Sequence, residues 1–273
     1  MIWKLEDIIE SWNINMRVIG VGDNCIDYYV DENIGYPGGN PVNVLVYMKR
    51  YNIDCSYLGV VGNDDFGKII IESITKKNID VSKIKVLDGN TARSDVSIIN
   101  GNRVFTGYDE GGLSQFKLDN DDIDYIHKFD LMVTSIWSNI ENDLYKINIP
   151  IAFDMSDQLD SEIWDKVLPE IDYVFYSDDK HDISYIKEFL KTKYLPRHKV
   201  LVCTRGEYGS IAYDGHEFYI QDIVQCKVVD TMGAGDSYIA GFLADYNKYK
   251  DIKKAMLEGA KNSVITISYK GAW

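Results

Sequence analysis

Short apolar runs alternate with longer amphipathic stretches along most of the chain. Arg17-Val-Ile-Gly-Val-Gly22 is a run of strand length, and Tyr57-Leu-Gly-Val-Val61, Leu131 to Ser135, Ile151 to Asp154, Tyr173 to Tyr176 and Val200 to Thr204 repeat its character. Between them the apolar residues fall at helical spacing. Val42, Leu45, Val46 and Met48 follow Asn40-Pro41, where Asn reads as the N-cap and Pro as the first turn. Phe66 to Lys77 predicts a helix with Ile69, Ile70 and Ile74 inward, and final helices are expected from about Ser237 and about Ile252. This alternation predicts an α/β fold with a mostly parallel central sheet flanked by helices. Two places break it. Ala92 to Tyr108 is strand-like on either side of Asn100-Gly101-Asn102, a hairpin signal, and Tyr28 to Tyr36 is short and extended. Ahead of Met16, Ile2, Leu5, Ile8, Ile9 and Trp12 share one helical face. Residues 1–15 therefore read either as an amphipathic extension or as translated upstream sequence, with residues 16–273 forming one domain.

Composition narrows the function classes. With 273 residues, 45% of them hydrophobic, the chain can bury the core of one large domain. No apolar run approaches bilayer-spanning length, and Met1-Ile-Trp-Lys-Leu-Glu-Asp-Ile-Ile-Glu10 lacks a secretory core, which points to the cytoplasm and away from the membrane. Cys25, Cys55, Cys203 and Cys226 lack paired spacing and read as free thiols rather than a disulfide framework or zinc site. A net charge of −14 argues against nucleic acid as a partner. It does not argue against a nucleotide, which a local cradle of backbone amides can hold.

The chemistry is concentrated in Asp230-Thr-Met-Gly-Ala-Gly-Asp-Ser237, which runs into an apolar helix. Gly233, Ala234 and Gly235 allow backbone amides to approach a ligand closely, and at a helix start those amides and the helix dipole attract an anion. A carboxylate placed in such a site, Asp236, is suited to accept a proton from a hydroxyl attacking phosphorus. Taken alone, the string is equally an ordinary loop with an Asp cap.

The whole string Asp-Thr-x-Gly-Ala-Gly-Asp-Ser resembles the C-terminal signature of the ribokinase-like, or PfkB-type, carbohydrate kinases. Gly38-Gly39-Asn40-Pro-Val-Asn43 with Leu58-Gly-Val-Val-Gly-Asn-Asp-Asp-Phe-Gly67 resembles the N-terminal one, in the right order. The resemblance implies a ribokinase-like fold with a small β-lid, from segments about 28–36 and 91–108, closing over a sugar. It implies ATP as phosphoryl donor, Mg2+ at the phosphates, and Asp236 as catalytic base with Gly233, Ala234 and Gly235 forming the anion hole. Asp27, Gly39 and Asn43 match sugar-contact positions, with Asn40 and Asp23 as further substrate candidates and Arg103 placed to meet an anionic group. Thr204-Arg-Gly206-Glu-Tyr-Gly209 resembles the family's turn beside the nucleotide, which Thr231 would join. Family members are often dimeric through their lids.

The chain departs from the family at Ser177-Asp178-Asp179-Lys180, where an Asn-x-x-Glu motif that helps organise magnesium is usual. Asp178, Asp179 or Asp182 stands in for the missing acid, or Lys180 meets phosphate directly; no metal ligand is assigned. A monovalent cation stays open, because the sequence given reads only to Gly271-Ala272-Trp273, short of residues that often complete that site. Gly22-Asp-Asn-Cys-Ile-Asp27, Gly38 to Asn43 and Gly271 to Trp273 resemble most the branch that phosphorylates O6 of fructoselysine or a related fructosamine. A kinase for another sugar or a ribosyl nucleoside, and a non-catalytic sugar- or nucleotide-binding relative, are the alternatives.

Overall fold

The computed structural model describes residues 15–99 and 102–273, together with the side chains of all but a few residues of the hairpin arms. The helical face predicted before Met16 and the tip of the Asn100-Gly101 hairpin lie outside the described residues.

Nine strands form the main sheet. In sheet order they are β13 (Phe218–Gln221), β12 (Ser210–Tyr213), β11 (Val200–Thr204), β10 (Tyr173–Ser177), β9 (Ile151–Asp154), β8 (Leu131–Ser135), β1 (Arg17–Gly22), β4 (Asp54–Gly62) and β5 (Lys85–Leu87). From β11 to β5 all pairings are parallel; β12 and β13 add an antiparallel edge. The strands lack polar alternation because both faces are covered. Val18, Leu131, Val133, Tyr173, Phe175, Val200 and Val202 enter one core, while Ile19, Met132, Val174, Tyr176, Leu201 and Cys203 enter the other.

The first core packs against α1 (Asn40–Met48), α2 (Asp65–Lys76), α6 (Ala234–Tyr249) and α7 (Ile252–Thr266), and the second against α3 (Asn120–Ile126), α4 (Ile163–Val167) and α5 (Ile183–Lys193). Gly20 fixes how closely α1 approaches the sheet: a Cβ there would stand 2.7 Å from Leu45 Cδ1. In α2 the inward residues are Ile70 and Ile74, with Gly67. Ile69, expected inward, is exposed, because a helix with its face on Ile70 and Ile74 turns position 69 about 100° away. The helix expected from Ser237 begins at Ala234.

A separate four-stranded sheet has the order β3 (Ile34–Gly38), β2 (Cys25–Tyr29), β6 (Arg93–Ile99), β7 (Asn102–Asp109). The extended segment around residues 28–36 is thus two strands, antiparallel to one another, with β2 parallel to β6. Among the described residues no helix is long and apolar enough to cross a membrane. Cys25, Cys55 and Cys203 are buried free thiols, and Cys226 is exposed.

Candidate active site

The carboxyl ends of β1 and β9 and the N-termini of α1 and α6 converge on Asp236. The side chain of Asn40 donates to Asp236 Oδ1 at 2.7 Å and to Asp154 Oδ2 at 2.6 Å, while Asn43 donates to Asp236 Oδ2 at 2.7 Å. Asn40 and Asn43 lie one turn apart on the same helical face, so both amides reach the same carboxylate. Asn40 is not the N-cap. That position is Gly39, which has no capping side chain. Instead Asp23 Oδ2, from the loop after β1, accepts the Asn40 backbone N–H at 2.9 Å. A carboxylate is favoured there because it meets an unpaired amide and the positive end of the helix dipole. Gly39 in turn lies against Asn24, whose Cα leaves no room for a Cβ.

Asp27 sits just past β1 in the sequence. It lies within β2 of the small sheet, opposite Tyr36 and Ser94, with its carboxylate over Gly38. Asp23 and Asp27 are buried, and Asp154 and Asp236 are half-buried. Burial holds the carboxyls of Asp23, Asp154 and Asp236 above the ordinary value of 3.8. Asp236 is pushed up to about 8, first by desolvation and then by Asp154, Asp23 and Asp27, against which the Asn43 hydrogen bond works. Asp23 rises to about 7 and Asp154 to about 6, again mainly through burial. Nearby acids raise one another in the way expected of carboxylates sharing a low-dielectric site. Asp154 was not singled out from the sequence, although an acid at the carboxyl end of an apolar parallel strand marks the edge where α/β proteins bind ligands.

On the other side of the α6 N-terminus opens a cleft of about 680 Å³. Thr204, Gly206, Gly209, Thr231, Ala234 and Gly235 all border it, as do the departing residues Ser177, Asp178, Asp179 and Lys180. No side chain caps α6. The Ala234 amide donates back to Thr231 O at 3.2 Å, so it is spent inside the turn, whereas the Gly235 and Asp236 amides meet no acceptor among the described residues. Of the expected anion hole, then, Gly235 and Asp236 supply the open amides, and Gly233 shapes the turn. Gly233 has φ 71°, and a Cβ there would land on the Tyr47 hydroxyl. Gly235 faces open space. The side chain of Arg103 lies outside the described part of the hairpin.

The substitutes for the missing Asn-x-x-Glu acid are not equivalent. Asp178 is buried and accepts the amides of Lys180 and His181 and the His181 ring, so it builds the turn. Asp182 caps α5. That leaves Asp179 and Lys180 exposed toward the cleft, with Asp157 and Glu207 also on its border. Among the described residues no group of three or more His, Cys, Asp or Glu could hold a metal ion by itself.

The arrangement can do one thing economically: hold an anion at the α6 N-terminus and, beside it, a polyhydroxylated ligand against carboxylates. Comparison with known proteins supplies the class of protein. Residues 9–273 match the pfkB family of carbohydrate kinases, a match that begins upstream of the Met16 boundary drawn from the sequence. The fructoselysine 6-kinase of Shigella flexneri is 36% identical over 256 residues, covering 93% of this chain and 98% of that protein. The fructosamine kinase FrlD of Bacillus subtilis is 34% identical over 264 residues, covering 94% and 93%. Among solved structures, Arabidopsis thaliana ribokinase complexed with ribose and ATP superposes with a TM-score of 0.84 at 17% identity, covering 94% of each chain. A Pyrococcus horikoshii sugar kinase in complex with ATP superposes at 0.77 with 22% identity, covering 94% of each chain. The fold is ribokinase-like. The chain belongs to the pfkB family and is an ATP-dependent sugar kinase.

Proposed function

We propose that the protein transfers the γ-phosphoryl group of ATP to O6 of a fructosamine, with fructoselysine as the preferred acceptor. The observation that carries this reading is the position of Asp236. It stands at once in the first turn of α6, beside the open amides of the cleft, and in the carboxylate floor held by Asn40 and Asn43.

In this reading the acceptor hydroxyl lies against Asp236, which takes its proton as the bond to phosphorus forms. The Gly235 and Asp236 amides face the transferring group and offset its charge. The triphosphate follows the cleft past Thr231 toward Gly206, Gly209 and Thr204, with Lys180 near the phosphates. Magnesium, carried in on the nucleotide, would neutralise the β- and γ-phosphates. The separate acids on the cleft border, Asp157, Asp179 and Glu207, suit an ion of that kind better than a resident one. The small sheet serves as the lid that excludes water, and Asp27 and Gly39 hold the sugar.

The floor also speaks to the substrate. Asp23, Asp27 and Asp154 crowd Asp236 and raise its affinity for a proton. A fructosamine carries a protonated secondary amine, which a simple ketose lacks. Docked against these carboxylates, that cation relieves their repulsion and lowers the Asp236 pKa, so the base is ionised when its own substrate is present. The relatives named for fructoselysine and fructosamine fit this chemistry.

The test is a coupled ADP-release assay with MgATP and a side-by-side panel of fructoselysine, fructose, ribose and a ribosyl nucleoside. The reading expects kcat/KM for fructoselysine to exceed that for fructose by 10-fold or more, on the order of one charge-assisted contact. Equal use of fructose would remove the amine from the account while leaving a ketose kinase. Preference for the nucleoside would overturn the substrate class.

A further inference from the structure

The segment Gly271-Ala272-Trp273 folds back onto the site rather than away from it. Gly271 N donates to Asp230 Oδ2 at 2.8 Å, and Asp230 Oδ1 accepts the Met232 amide in the turn that leads to Gly233. Ala272 O accepts from the Tyr47 hydroxyl at 2.6 Å and the Tyr269 hydroxyl at 3.0 Å. Tyr47 is the residue beneath Gly233, so the segment and the anion turn share one support. Trp273, thus held, donates its indole N–H to Asn43 Oδ1 at 2.7 Å. Its ring lies under Lys77 Nζ, 5.4 Å from the ring centre.

An indole N–H can only donate. The Asn43 atom it meets is therefore the amide oxygen, and the amide NH2 must face Asp236. Released from the indole, the Asn43 amide can turn over and offer its oxygen instead. An amide oxygen pairs only with a protonated carboxyl, whereas an amide N–H favours the ionised one.

We propose that Trp273 is a positioning residue for phosphoryl transfer, locking the Asn43 amide in the orientation that favours the ionised form of Asp236. The chain Trp273–Asn43–Asp236 spans the α1 N-terminal turn, and each bond polarises the next. Asp23, Asp27 and Asp154 from the floor oppose the ionisation of Asp236, while the amides of Asn40 and Asn43 and the N-terminal end of α6 support it; Tyr47 from α1 faces it as a neutral phenol. Arg50 stacks on Tyr47, 4.6 Å from its ring centre, and its guanidinium is occupied by Ser237, Asn262, Thr266 and Tyr269.

This inference rests on Asp236 being the base, and two measurements separate the two ideas. In Trp273→Phe, which keeps an aromatic ring under Lys77 but removes the N–H, the rising limb of the kcat–pH profile should move about one unit to higher pH. Turnover on that limb, at a pH below its midpoint, should fall roughly tenfold and recover at higher pH. The KM for ATP should stay unchanged. A lower turnover with the limb unmoved, or no change at all, would overturn the proposal. Should that variant fail to fold, the unaltered protein supplies the readout. The Trp273 indole proton resonance should shift with pH as Asp236 titrates, and the shift should vanish in Asp236→Asn. An indole resonance indifferent to pH would also overturn it. The resonance depends on the hydrogen-bond chain and not on turnover, so it stands or falls apart from the role of Asp236 in catalysis.

Discussion

On the side of the α6 N-terminus that the proposed function gives to the sugar, Asp236 is held by two side-chain amides, each at 2.7 Å, from residues 196 and 193 positions away. On the cleft side the border combines glycine turns at Gly206, Gly209 and Gly235 and Thr204 at the end of β11 with side chains such as Lys180, Ile223, Val264 and Ile267. In the proposed reading the difference follows from what each ligand offers. A triphosphate is a large anion that any well-aimed amide can satisfy, and amides come with the backbone wherever glycine lets it turn. A sugar offers hydroxyls at fixed directions and demands side chains placed to match, so its half of the site is assembled from distant parts of the chain. The sugar side is consequently preorganised by a connected hydrogen-bond network, and the cleft by shape.

If that contrast is right, the two halves should break differently. Asp27→Ala should give the largest split: KM for the sugar rises about 10- to 100-fold, the scale of one or two hydrogen bonds to a charged group, while KM for ATP stays within twofold. A change confined to ATP would place Asp27 wrongly. Backbone substitutions should do the converse. Gly233→Ala introduces a positive φ for a residue with Cβ and a collision with Tyr47, so it should cost about 1–3 kcal/mol in denaturant unfolding as well as turnover. Gly235→Ala meets nothing in the structure and should leave stability within about 0.5–1 kcal/mol, the helix-propensity scale, while raising KM for ATP. Equal stability losses for the two would contradict the assigned roles.

The acid crowd gives a smaller and signed effect. Asp154, Asp23 and Asp236 bind protons more tightly in the folded state, so their contribution to stability is full below the ordinary 3.8 and is lost as pH rises through about 6, 7 and 8 respectively. The ligand-free protein should therefore melt at a lower temperature at pH 8 than at pH 5. Asp154→Asn should shrink that drop by about 2–4 °C, corresponding to ~1 kcal/mol. A drop that stays the same in the variant would show that Asp154 does not share the strain.

The same contrast explains what could be read from the sequence. The parallel sheet was legible because strands buried on both faces are continuous apolar runs, and the glycine turns because their requirement is local. Asn40 and Asn43 were legible through the family signature, but the role of Asn40 was misread as a cap: the helix start was correct, and its partners, Asp154 and Asp236, lie 114 and 196 residues away. Trp273 was hidden for the same reason, since its bond to Asn43 spans 230 residues. Asp27 was legible as a carboxylate just past β1, but its membership of a five-residue strand in a second sheet carries no local signal. Ile69 was assigned inward where three isoleucines in succession leave the face undetermined.

The account turns on Asp236, and Asp236→Asn tests it most directly. Turnover of fructoselysine at saturating MgATP should be measured beside calorimetric binding of the nucleotide. The prediction is that kcat falls by about 10²–10⁴, the range for losing a positioned base, with ATP affinity and melting temperature preserved or raised. Turnover within a few-fold of the parent protein would contradict the central claim and assign proton removal to another group.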